Sequence, residues 1–147
     1  MRTVALLLFL LPSLPIFACD CLAEIELSLE YHRTQNVIIG KVLSITKSTD
    51  GKELLVSVEI KKDFKGKKTG EKIIVRTNSS PKACGYEFAV GKEYLIYANR
   101  HNSVPKDWTT SVCSRTIPMP KAENDLIFIT RELEIEMDPA WEKQFKN

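Results

Sequence analysis

Leu54, Val56, Val58 and Ile60 alternate strictly with Leu55, Ser57, Glu59 and Lys61, the period-two pattern of a strand with one buried face. Upstream, Val37, Ile38, Ile39, Val42, Leu43 and Ile45 form a β-branched run crossed by Gly40, so a strand with a bulge or bend at the glycine is expected. Asp50-Gly51 supplies the turn between these two. Lys61, Lys62, Lys65, Lys67 and Lys68 surround Phe64 and Gly66 and read as a basic loop, followed by a third strand at Ile73, Ile74 and Val75. Tyr94 to Tyr97 after Gly91 predict a fourth strand, and Trp108 to Val112 a fifth. Two helices flank the set: Leu22 to Tyr31, where leucines and glutamates favour helix, and Ala122 to Ile135, where Leu126, Ile127, Ile129 and Leu133 recur at helical spacing. Mainly β structure in a small closed barrel of five strands with flanking helices is the expected architecture.

The first eighteen residues differ in kind. Arg2 precedes an uncharged run from Val4 to Leu11, then come Pro12, Pro15 and the small Ala18, the sequence of a signal peptide over residues 1–18. The two prolines interrupt the run well short of the roughly 20 apolar residues that a spanning helix needs, so residues 19–147 are expected to be one exported domain, secreted or periplasmic, with no transmembrane segment. Cleavage after Ala18 makes Cys19 the first residue of the mature chain. Ile16-Phe17-Ala18-Cys19 also partly resembles a lipobox, which would instead lipidate Cys19 and acylate its amine; the even cysteine count and Phe17 favour ordinary cleavage.

All four cysteines, Cys19, Cys21, Cys84 and Cys113, follow the cleavage site, and an even count in an oxidising compartment implies two disulfides. A bond between Cys19 and Cys21 would close a very small ring, so long-range bridges are expected, in either of the two remaining pairings. A structural zinc site on Cys-x-Cys lacks a matching Cys or His pair nearby, and His32 and His101 are far apart along the chain. No Ser, His and Asp stand in a recognisable catalytic context, so no enzyme, no catalytic residue and no cofactor is expected. The net charge of +2 gives no global argument for a polyanionic partner. The local cluster Lys61, Lys62, Lys65, Lys67 and Lys68 is the candidate site for an extracellular polyanion; export argues against nucleic acid.

Cys19-x-Cys21 at the mature N-terminus, Val37-Ile38-Ile39-Gly40-Lys41-Val42, Phe64-Lys65-Gly66, Cys84-Gly85-Tyr86-x-Phe88, Val90-Gly91-Lys92-x-Tyr94-Leu95-Ile96 and Cys113 together resemble the inhibitory domain of the tissue inhibitors of metalloproteinases, within the wider netrin-like group. The resemblance spans about Cys19 to Leu133. It implies a barrel of the oligonucleotide-binding type and the pairing Cys19 with Cys84 and Cys21 with Cys113. It also implies that the α-amino group and carbonyl oxygen of Cys19 chelate the catalytic zinc of a partner protease, on a ridge of Cys19, Asp20, Cys21 and Leu22 beside Pro81, Lys82, Ala83 and Cys84. The zinc belongs to the protease; none is intrinsic. Two departures stand out. Asp20 replaces the small hydroxyl residue usual after the first cysteine, and the family's third disulfide and cysteine-rich C-terminal domain are absent. The alternative is an extracellular netrin-like binding module with no protease target.

Overall fold

The computed structural model describes Cys19, Cys21 and residues 26–66 and 72–133. Helix α1 (Leu27–Arg33) leads into β1 (Asn36–Lys47), β2 (Glu53–Lys65), β3 (Lys72–Asn78), β4 (Glu93–Arg100), β5 (Trp108–Thr109) and β6 (Ile117–Pro118), and α2 (Glu123–Leu133) follows. β1, β2 and β3 form an antiparallel meander. β5 then runs parallel to β3 and antiparallel to β4. β4 pairs with β1, from Asn36↔Ala98 to Lys41↔Glu93, so five strands close into a ring in the order β1-β2-β3-β5-β4. β6 extends β4 outside that ring through Tyr94↔Pro118 and Leu95↔Ile117.

The continuous apolar run in β1 follows from burial on both faces. Ile38 and Val42 join Val56, Val58, Ile73, Val75, Ile96, Ala98 and Trp108 in the core that the ring encloses. Val37 and Ile39 point the other way, into a second core with Tyr31, Phe64, Leu95, Tyr97, Leu126 and Ile129 that the helices cover. Gly40 sits at a register shift in the β1–β2 pairing, as its place in the run predicts. A Cβ there would lie 2.2 Å from Val58 Cγ1, so the strands can approach closely only because the side chain is missing.

Three expectations are corrected. Lys61, Lys62 and Lys65 belong to β2, not to a loop, because β2 continues past Ile60 against β1 as far as Val37↔Lys65. Register shifts break its alternation, and Phe64, at 9% exposure, anchors its end in the core. The fifth strand is only two residues long, and β6 has no counterpart in the expected set. Ile127 is half exposed rather than part of the apolar face of α2. Leu22 to Ile25 and residues beyond Leu133, where the two helices were expected to begin and end, lie outside the described residues, as do Lys67 and Lys68.

α2 is tied to the sheet by a buried polar contact. Asp125, 2% exposed, accepts a hydrogen bond from the Tyr97 hydroxyl at 2.9 Å and two from the Arg115 guanidinium, at 2.8 and 3.0 Å. Burial, reinforced by the Asp125 carboxylate, pushes the Tyr97 phenol far above its ordinary value and keeps it a donor. Tyr97→Phe is expected to cost about 1 kcal/mol, since Arg115 still satisfies Asp125. It should appear as a lower urea midpoint with an unchanged slope.

Candidate functional site: the cysteine-pinned edge

The N-terminal cysteines are held against two turns. Cys19 is bonded to Cys84 with a Cα separation of 5.3 Å, and Cys21 to Cys113 at 5.2 Å, the pairing that the resemblance implies. Sequence separations of 65 and 92 residues restrict the unfolded chain by roughly 4 kcal/mol per bridge on the loop-entropy model, an upper bound because the loops overlap. Their local effect is to fix the Cys19 to Cys21 segment against the turns that carry Cys84 and Cys113.

The first turn is built for rigidity. Pro81–Ala83 form a single 3-10 turn with proline pre-setting its first position, and Cys84 follows in the left-handed region at φ 66° and ψ 20°. The backbone N–H groups of Ala83 and Gly85 both donate to the Ser80 carbonyl at 3.0 Å, and Asn78 Nδ2 donates to the Ala83 carbonyl at 2.5 Å. Gly85 is buried so close to β3 that a Cβ would stand 2.1 Å from the Asn78 carbonyl oxygen. Tyr94 then meets Tyr86 and Phe88 edge to face at 5.9 and 5.0 Å between ring centres, Tyr86 and Phe88 are tilted against each other at 4.7 Å, and the Tyr94 hydroxyl accepts from the Ala89 N–H at 2.9 Å. The motif residues after Cys84 therefore clamp the turn to the sheet.

The second turn, around Ser111 to Ser114, joins the first directly: the Val112 N–H donates to the Cys84 carbonyl at 3.0 Å. The Ser111 hydroxyl accepts from the Cys113 N–H at 3.2 Å, and the Ser114 hydroxyl accepts from the Ser111 N–H at 3.2 Å. Pro81, Lys82 and Ala83 are exposed, Cys21 is exposed, and Cys19, Cys84 and Cys113 are half buried. Asp20 and Leu22 lie outside the described residues. Val112, 43% exposed beside Cys84, is a surface residue of this edge that sequence reasoning did not single out; its place next to Cys113 was the available signal.

The lysines of β2 are engaged within the fold. Lys65 Nζ donates to the carbonyls of Tyr31 and His32 at 2.6 and 2.9 Å, closing the C-terminal end of α1, and lies 5.0 Å from the Tyr31 ring centre. Lys61 pairs with Glu59 at 2.9 Å, and Lys62 lies 5.3 Å from the Phe64 ring centre.

A polar cavity of about 630 Å³ adjoins the first turn through Asn78. Along its wall Arg76 bridges Glu53 at 2.8 Å and Asp107 at 2.7 Å, while His101 Nε2 meets Glu53 at 2.9 Å and His101 Nδ1 accepts from the Val104 N–H at 3.1 Å. Burial raises the Glu53 pKa, but the hydrogen bonds from His101 and Arg76 outweigh it and the net shift is downward. A depressed carboxylate contributes stability above the unfolded value, about 4.3 for glutamate, and loses it as pH falls through the folded value. Glu53→Gln should therefore flatten the fall in melting temperature below about pH 4.3. A mainly apolar cavity of about 590 Å³, lined by Ala89, Tyr94, Pro118, Met119 and Pro120 among others, includes none of the four cysteines.

No known protein-family model matches this sequence, and no curated protein matches it. Among the described residues no helix is long and apolar enough to cross a membrane.

Proposed function

We propose that the chain is an exported, non-enzymatic inhibitor of zinc metalloproteases that acts through the backbone of Cys19. The observation carrying this reading is the double pinning of one short segment, which cleavage after Ala18 would make the N-terminus: Cys19 and Cys21 are bonded to two adjoining, hydrogen-bonded turns at an accessible edge. The strand order β1-β2-β3-β5-β4, closed by β1–β4 and with β3 parallel to β5, supports reading the ring as a barrel of the oligonucleotide-binding type. Such a frame suits the chemistry. A catalytic zinc keeps one position for the attacking water, and an amine and a carbonyl from one residue displace that water together. A free α-amino group titrates at roughly 7.7 to 8.0, close enough to neutrality for zinc to displace its proton. Holding Cys19 rigidly before the encounter removes ordering entropy from the binding step.

Asp20 sets the target. A carboxylate entering an apolar specificity pocket costs several kcal/mol unless it is paired, so the fitting protease carries a basic group there. Asp20→Thr is expected to redirect inhibition among metalloproteases while changing stability by less than about 0.5 kcal/mol. A large loss of stability would instead make Asp20 a structural residue.

The second reading, an extracellular netrin-like binding module, is favoured by Asp20 and by the absence of a third disulfide. Mass spectrometry of the exported protein, followed by titration against a panel of zinc metalloproteases that includes those of the producing organism, separates the two. A mature chain starting at an unmodified Cys19 and stoichiometric inhibition support the inhibitor. An acylated Cys19 removes the chelator, and an unmodified Cys19 with no inhibition supports the binding module.

A further inference from the structure

The four cysteines are also neighbours in space, which bears on chemistry independent of any protease. The sulfur atoms of Cys19, Cys21 and Cys113 lie within 4.8 Å of one another, and that of Cys84 is bonded to that of Cys19, so both disulfides form a single sulfur cluster. Four thiolates at about 2.3 Å from a tetrahedral zinc stand roughly 3.8 Å apart, so Cys19, Cys21 and Cys113 are already grouped near that spacing, and the Cys84 sulfur, once released from Cys19, has to swing in as the fourth ligand. Rotation about side-chain torsions can supply that movement. The ligands come from the N-terminal segment, from the left-handed Cys84 and from the Ser111 to Ser114 turn, and the last two are already joined by the Val112 to Cys84 hydrogen bond. Cys21 is exposed, which gives a reductant access to one bridge, and a freed thiolate there lies within reach of the neighbouring sulfurs.

We propose that the cluster is a redox-gated zinc site: two disulfides when oxidised, and a tetrathiolate holding one zinc ion when reduced. Each disulfide takes two electrons and two protons from an external dithiol, which leaves as its own disulfide, and yields two thiols. Zinc then forms four bonds to sulfur as the four thiol protons pass to solvent. Soft thiolate ligands in a tetrahedral set suit zinc rather than magnesium or calcium. The metal would then hold the same three segments that the bridges hold, so the edge keeps its arrangement when the covalent bonds are lost.

The test uses the full chain from Cys19, reduced anaerobically with a water-soluble phosphine and titrated with cobalt and then zinc. One cobalt per chain is expected, with thiolate-to-cobalt charge transfer and tetrahedral ligand-field absorption that one equivalent of zinc bleaches. Zinc should also raise the melting temperature of the reduced protein, and the oxidised protein should show neither effect. Cys84→Ser should weaken cobalt binding on the order of tenfold or more and shift the spectrum toward three sulfurs. Absence of the cobalt spectrum overturns the proposal. So does equal binding in concentrated urea, because coordination by an unfolded chain needs no assembled cluster.

Discussion

One alanine added before Cys19 is expected to weaken inhibition at least a hundredfold, roughly 2.7 kcal/mol or more in binding free energy. The extension turns the amine proposed to chelate into an amide, whose nitrogen has no lone pair to offer zinc, and would push an extra residue into the space of the metal-bound water. Nothing else need change. Both bridges are made by side chains, to Cys84 and Cys113, and the hydrogen bonds that shape the two turns come from Ser80, Asn78, Ser111, Val112 and Ser114. The extended protein should therefore keep its melting temperature and its disulfides, which separates a chemical loss from a folding loss. Equal potency with and without the alanine would sink the chelation mechanism.

How far the fold could be read in advance depended on how local its cause was. β2 is legible between Leu54 and Ile60 because one face packs inside the ring and the other does not, so burial writes a period of two into the residues. Beyond Ile60 the pairing with β1 passes two register shifts, at Ile39/Gly40 and at Val37/Ile38; the alternation is lost, and the lysines there look like a loop. β5 and β6 are two residues each, too short for any period, and they exist because Trp108 and Thr109 fit between β3 and β4 and because Ile117 and Pro118 lie along β4. The cysteines made the two sides of the candidate edge legible as segments, since covalent pairing needs only the right residues in the right order. Their joining through Val112 and Cys84 was not, and neither was the Glu53, Arg76, Asp107 and His101 network, whose bonded partners stand 23 to 48 residues apart. Contacts of that range leave no periodic trace in a single chain.

The largest expected stability effect lies at a position beside the edge. Gly85 is not at positive φ, so its requirement is space rather than conformation. An alanine Cβ would stand 2.1 Å from the Asn78 oxygen and 2.9 Å from both the Asn78 carbonyl carbon and the Ser80 oxygen, all backbone atoms. Asn78 cannot yield easily, being paired with Glu53 in the β2–β3 ladder, and the chain on the other side is held by the bond from the Tyr86 N–H to Thr77 Oγ1 at 2.8 Å. Gly85→Ala should cost about 3 kcal/mol, at the upper end of what overpacking a fitted site does. Gly51→Ala is the matched control: Gly51 has φ +71° but open space around its Cβ position, so only the left-handed backbone is penalised, at roughly 1 to 2 kcal/mol. Assayed well below both melting temperatures, the two variants should also differ in function. Shifting the chain at Gly85 moves Cys84 and with it the bonded Cys19, so inhibition should weaken in Gly85→Ala and stay at the parent level in Gly51→Ala. Unchanged stability in Gly85→Ala would show that the turn relaxes away from β3, and unchanged inhibition in a destabilised variant would show that the position of Cys19 does not depend on this turn.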